Sequence, residues 1–250
     1  MASFWKHVKQ VIDMCEIIIL VLDARLINET RNSELEDKIR ERKKKLLYVI
    51  NKCDLVNVED LKIHMKFLKP SVFISSTNKF GTTILLKKIL ELSKGKETTV
   101  GVVGYPNVGK SSLINALSGR GAAKTSKESG FTKGLQKIRV TPKIMILDTP
   151  GVFPNLEKDK QKHAMIGAID FGKIKDPETA VLKLIESEKE KIQKFYKIDL
   201  DDSQEILEKI AFLKNRLLKG GVADIEAASR LILKDWQTGK IHEATNLNGN

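Results

Sequence analysis

Short runs of consecutive apolar residues recur along the first 150 positions: IIILVLD (17–23), KLLYVIN (45–51), SVFIS (71–75), TVGVVG (99–104) and KIMILD (143–148). Each ends at a polar residue or a glycine, and none alternates apolar with polar. Unbroken apolar strands of this length suit a parallel sheet that is covered on both faces. Stretches of helical spacing fall between them at 32–44, 59–69, 81–94 and 110–118. The alternation predicts an open α/β sheet whose ligands bind at the carboxyl ends of the strands. IRV (138–140) reads as one further strand, paired with KIMIL through Thr141-Pro142.

The pattern changes after Gly151. No strong strand signal follows, and residues 177–194, 203–219 and 222–236 show helical spacing, separated by IDLDD and Gly220-Gly221. Asp202 or Ser203 is positioned to cap the middle helix, and Gly220 to end it. Two domains are therefore expected: α/β over 1–155 and all-helical over 156–250, joined by a linker at about 152–175.

Composition narrows the setting. With 250 residues and 41% hydrophobic content, the chain can bury a substantial core. Cys15 and Cys53 make neither a disulfide framework nor a metal pair, so a reduced, cytoplasmic location is expected. The apolar run IIILVL is far too short to span a bilayer, and no membrane partner is expected. The net charge is +12, and its distribution is uneven. Residues 1–151 hold 27 basic against 15 acidic side chains, whereas 152–250 hold 17 of each. Clusters such as RERKKK (40–45) point to RNA or another polyanion as a partner of the first domain.

GYPNVGKS (104–111) fits the pattern G-x-x-x-x-G-K-[ST], and it lies between a strand and a helix, where a phosphate loop belongs. Glycines let the backbone N–H groups around Asn107, Val108 and Gly109 converge on phosphate, and the next helix adds its positive end. Lys110 would neutralise the β and γ phosphates, Ser111 would ligate magnesium, and Ser112 is placed to reach the α-phosphate. KIMILDTPG (143–151) would carry Asp148 to the end of a strand, to hold magnesium through a water, and Gly151 to the γ-phosphate. Between the two lies SKESGFTKG (126–134), where Thr132 is a candidate to complete the magnesium shell.

The tetrapeptide Asn51-Lys52-Cys53-Asp54 follows a strand, as a guanine-reading motif should. Asp54 would accept hydrogen bonds from guanine N1–H and N2–H₂, a pairing that adenine lacks. Asn51 would bond the purine edge or brace the phosphate loop, and Lys52 would lay its stem on the ring. Ser75 and Ser76 end a further strand, where a backbone N–H would meet the guanine oxygen or a serine would cap a helix. These guanine motifs precede the phosphate loop, whereas GTP-binding proteins normally place them after it. Cutting a GTPase between its magnesium strand and its guanine strands and joining the old ends produces this order, which surface termini tolerate.

In that order, VLDAR (21–25), NKCDL, ISST, GYPNVGKSSLINAL, FTKG, LDTPGV and GGVADIEAASRLILKDWQTGKI (220–241) resemble the circularly permuted GTPases of the YlqF/YawG type. The resemblance covers essentially the whole chain. It implies a P-loop GTPase fold with a small all-α carboxy-terminal domain, GTP/GDP and Mg²⁺ as ligands, and a monomer that binds rRNA or the assembling large ribosomal subunit. A glutamine that orients the attacking water often follows the glycine of this motif. Val152 stands there instead, so slow intrinsic hydrolysis is expected, and Asn107 is a candidate to hold an activating potassium ion. Two other readings remain: a metabolic P-loop enzyme such as a nucleotide kinase, and an RNA-binding module with a vestigial nucleotide site.

Overall fold

Every residue of Ile17–Asp23 is buried, as a strand covered on both faces requires. This strand, β1, lies inside a six-stranded sheet; the computed structural model describes residues 2–119, 136–149 and 159–242. Parallel neighbours flank it, β2 (Lys45–Asn51) on one side and β4 (Thr98–Val103) on the other. Beyond β2 lies β3 (Ser71–Ile74), and beyond β4 lies β6 (Ile144–Asp148), both again parallel to their neighbours. The outermost strand, β5 (Gln136–Thr141), runs antiparallel to β6 and contains IRV. The order β3-β2-β1-β4-β6-β5 is a mostly parallel, doubly wound sheet.

Register carries the sheet's geometry into the loops. Asp23 stands opposite Asn51, Leu20 opposite Val103, and Val102 opposite Asp148. The carboxyl ends of β1, β2, β4 and β6 therefore open onto one edge, where the polar residues that end these runs collect.

The helices that cover the sheet follow their predicted places: α3 (Ser33–Glu41), α4 (Val58–Met65) and α5 (Thr82–Leu92) are shorter than expected, and α6 (Lys110–Ser118) spans the expected residues. Two more precede α3. One is the single turn α2 (Ile27–Thr30), and the other is α1 (Ala2–Met14), absent from the sequence reading. Its signal was nonetheless present, because Val8, Val11, Ile12 and Cys15 repeat at helical spacing and are fully buried. Helix α1 packs so closely on β4 that a Cβ at Gly101 would lie 2.5 Å from Val11 Cγ1.

The chain divides into two compact units, Met1–Glu157 with Thr245–Asn250, and Lys158–Ala244. The second is helical: α7 (Lys160–Met165), α8 (Pro177–Tyr196), α9 (Ser203–Leu213) and α10 (Ile225–Gln237). Helix α7 occupies part of the segment expected as linker. The Asp202 carboxylate accepts from the Gln204 and Glu205 N–H groups, so it caps α9. At its other end α9 stops before Gly220. Asn215 takes a positive φ of 52°, with Asn215 N–H on Phe212 O and Arg216 N–H on Ala211 O. That pair of bonds closes a helix on a left-handed residue, and asparagine is the usual substitute for glycine there. Gly220 and Gly221 instead turn a short antiparallel pairing of Leu217 with Ala223. Among the described residues no helix is long and apolar enough to cross a membrane.

Candidate functional site

Strand β4 ends at Val103 and the chain turns at once. Gly104 has φ of 146°, and a Cβ there would lie 2.6 Å from Val21 O, so only glycine fits this exit. Asn107 is left-handed at φ 61° and Gly109 at φ 98°, which curls the loop before α6 begins at Lys110. The first turn of α6 leaves Ser111 and Ser112 exposed, while Lys110 is buried beneath the loop. The Lys110 ammonium donates to Gly104 O at 3.1 Å and to Tyr105 O at 2.6 Å. Burial pushes this lysine down to about 8, only partly offset by the negative charge of Asp148.

Asp148 completes this side from the end of β6. Its Oδ1 is buried and makes no hydrogen bond, and burial raises its carboxyl despite Lys110 and the Thr149 N–H. A buried oxygen acceptor in that state suits a hard, water-carrying cation such as magnesium. Thr149 locks the strand end by donating its hydroxyl to Val102 O at 2.6 Å.

The other side is built on Asn51, which is almost fully buried. Its Nδ2 donates to Val108 O at 3.0 Å, inside the phosphate loop. Its Oδ1 accepts from Ser76 N–H at 3.1 Å and from the Ser76 hydroxyl at 2.8 Å. One amide thus ties the ends of β2 and β3 to the loop after β4. Of the two roles considered for Asn51, the bracing one is the one its geometry displays, and Ser76 supports it with both of its donors. Gly109 permits the approach, because a Cβ there would lie 2.2 Å from Asn51 Nδ2. Ser75 closes its own loop: its N–H and C=O pair with Phe80, and its hydroxyl accepts from Asn78 N–H. It caps no helix, since α5 starts after Gly81.

Lys52 and Asp54 follow on a tight turn. Lys52 is left-handed at φ 63°, and a single 3₁₀ turn spans Cys53–Leu55. The Cys53 thiol is buried and pushed up to about 12, so it is no nucleophile. The Lys52 ammonium lies 2.7 Å from Asp23 Oδ2, and Arg25 grips the same carboxylate. In sequence, the signal for this acidic centre is an aspartate that ends a wholly apolar strand within VLDAR. Burial alone would raise its carboxyl, but the charges and hydrogen bonds of Arg25 and Lys52 outweigh it and hold the group well below the usual carboxylate range. Thr132 and Gly151 lie outside the described residues, as does Val152.

The structure therefore brings Asn51, Lys52, Asp54, Ser75 and Ser76 to the same sheet edge as Asn107–Ser112 and Asp148. Comparisons with known proteins bear on the family and the fold. A family model described as 50S ribosome-binding GTPase matches residues 99–216. A GTP-binding protein of Methanocaldococcus jannaschii is 40% identical over 246 residues, covering 95% of this chain and 65% of that protein. Nucleolar GTP-binding protein 2 of Yarrowia lipolytica is 34% identical over 95% of this chain and 49% of its own length. The chain thus spans about half to two thirds of the curated relatives it matches. GNP-bound YlqF from T. maritima shares the fold, with a TM-score of 0.68 at 24% identity over 96% of this chain and 95% of that one.

The displaced titration of Lys110 gives a pH signature. Between about 8 and 10.5 the folded, nucleotide-free protein holds fewer protons than the unfolded chain, so its stability rises with pH through that window. The rise from this one group amounts to about 3 kcal/mol at most. Urea midpoints from pH 7.5 to 10 should show it in the parent and lack it in Lys110→Met; parallel curves would exclude a buried, neutralising Lys110.

Proposed function

We propose that the chain is a circularly permuted P-loop GTPase, a GTP-binding and GTP-hydrolysing switch in large ribosomal subunit assembly that acts as a monomer. The observation that carries this reading is the Asn51 amide, which joins the NKCD motif to the phosphate loop and to Ser76. Base reader and phosphate binder are one connected structure, which a nucleotide kinase or a vestigial site would not need.

The roles follow from the chemistry. Asp54 pairs with the guanine edge, with Lys52 against the ring. Phosphate would replace the Gly104 and Tyr105 carbonyls as the partner of Lys110, and its negative charge would favour the lysine's charged form. Backbone N–H groups of Asn107, Val108 and Gly109 face the same phosphates, with Ser112 toward the α-phosphate. Magnesium, held by Ser111 and Thr132 and by Asp148 through water, would offset charge on the transferring phosphoryl group. Gly151 would sense the γ-phosphate, and the chain after it leads directly in sequence to α7. A GTP-dependent change at Gly151 is thereby passed to the helical unit.

Guanine preference is the primary test. Titration should show GDP bound at least a thousandfold more tightly than ADP, because the wrong base leaves buried polar groups unpaired. Asp54→Asn should shift the preference to xanthosine diphosphate. Equal binding of GDP and ADP would return the nucleotide-kinase reading.

Val152 cannot polarise water, so an external positive charge is required, and we assign it to potassium at Asn107. Hydrolysis should be faster in potassium than in sodium chloride, and Asn107→Ala should remove the difference. Identical rates in both salts would reject the assignment.

The basic surplus of residues 1–151 supports rRNA as the partner. For compartment, relatives with nucleolar in their names favour the nucleolus over the cytoplasm expected from composition. Co-sedimentation with large-subunit precursors should be stronger with a non-hydrolysable GTP analogue than with GDP. Equal sedimentation in both states would remove the switch.

A further inference from the structure

We propose that Asp23 is a positioning residue for guanine binding, acting through Lys52, whose ammonium it anchors so that the lysine stem becomes a fixed stacking surface for the base. The inference rests on the guanine reading of NKCD and adds a residue to it.

Four donors fill the Asp23 carboxylate. Oδ1 accepts from the Arg25 N–H and from Arg25 Nε, each at 3.1 Å, and Oδ2 accepts from Arg25 Nη2 at 2.8 Å and from Lys52 Nζ at 2.7 Å. The acceptor itself cannot drift. Asp23 ends β1 in register with Asn51, its N–H donates to Thr30 Oγ1 at 3.1 Å, and its side chain is fully buried. The Arg25 side chain is only 3% exposed, so it belongs to the interior brace. Lys52 differs, with 22% of its side chain exposed while its charged tip is tied inward. A partly exposed side chain with a tethered tip offers a flat base a fixed stem, since a free ammonium would pull the methylenes toward solvent.

A residue serving stability alone would affect all ligands alike, so the test separates base from phosphate. Calorimetric titrations with GDP and with pyrophosphate are run on the parent, Asp23→Asn, Lys52→Met and the double variant. Asp23→Asn should weaken GDP roughly tenfold to a hundredfold, the worth of one charged hydrogen bond. Pyrophosphate affinity should stay within about twofold, and the double variant should be no weaker for GDP than Lys52→Met, because the two residues act as one unit. Equal losses of GDP and pyrophosphate, or losses that multiply in the double variant, overturn the proposal. Asp23→Asn leaves two cations facing a neutral amide; if it fails to fold, the same cycle is run in Arg25→Gln, where only Lys52 remains charged. A parent that binds GDP and ADP equally would reject the guanine reading and this inference together. Guanine preference with multiplying losses would reject this inference alone.

Discussion

The Asn51 side chain is the joint on which the site depends. A primary amide offers donor and acceptor on one rigid plane, and here each end serves a different strand's loop: Nδ2 on Val108 O, Oδ1 on both donors of Ser76. Burial gives these bonds their weight, because an unpaired amide group in the interior costs about 1–3 kcal/mol. Aspartate would lose the donor to Val108, and leucine would leave Ser76 and Val108 unsatisfied. Glycine at 109 is the other half of the same constraint, since any Cβ would collide with Nδ2.

This joint also explains why cutting the chain elsewhere does no harm. Asn51 and Val108 are 57 positions apart, yet they meet because β1 pairs with β2 on one side and β4 on the other. Hydrogen bonds across the sheet hold the parts in place, and the order in which the chain visits them does not enter that arrangement. The guanine motifs can therefore precede the phosphate loop without altering the edge onto which both open. What the altered order changes is connectivity: the strand that delivers Asp148 is now the last of the sheet, and the segment after it leads to the helical unit.

The strands and the glycine-built loop before α6 are legible because each has a strong local cause. Unbroken apolar runs have few other fates in a chain of this length, and a phosphate loop needs glycines at fixed spacing. Elements governed by weaker or competing signals differ from what periodicity predicts. Helix α9 was extended to 219 because its apolar spacing continues through Leu217 and Leu218, yet Asn215 stops it by adopting a left-handed conformation that periodicity does not register. Helix α1 was passed over although its buried stripe was there. Among site residues, Asp23 went without a role because its partners come from Arg25, two residues on, and from Lys52, across the sheet. Only the register of β1 with β2 makes the second a neighbour. Thr132 and Gly151 rest on the sequence alone.

The two halves of the site differ in electrostatic completeness, and that difference bears on how the protein responds to a ligand. On the base side, Asp23 has four donors and both nearby cations have a carboxylate; nothing there awaits a charge. On the phosphate side, Lys110 rests on two neutral carbonyls and Asp148 keeps a buried oxygen without a partner. Burial displaces these two groups in opposite directions, the lysine down and the aspartate up, so it penalises the charged form of each. A ligand that brings phosphate to one and a hydrated cation to the other relieves both penalties at once. On the proposed reading, the base side sets which nucleotide binds with little rearrangement, while the phosphate side takes up the ligand's charge. In a switch, the second half is where the difference between bound states has to be felt.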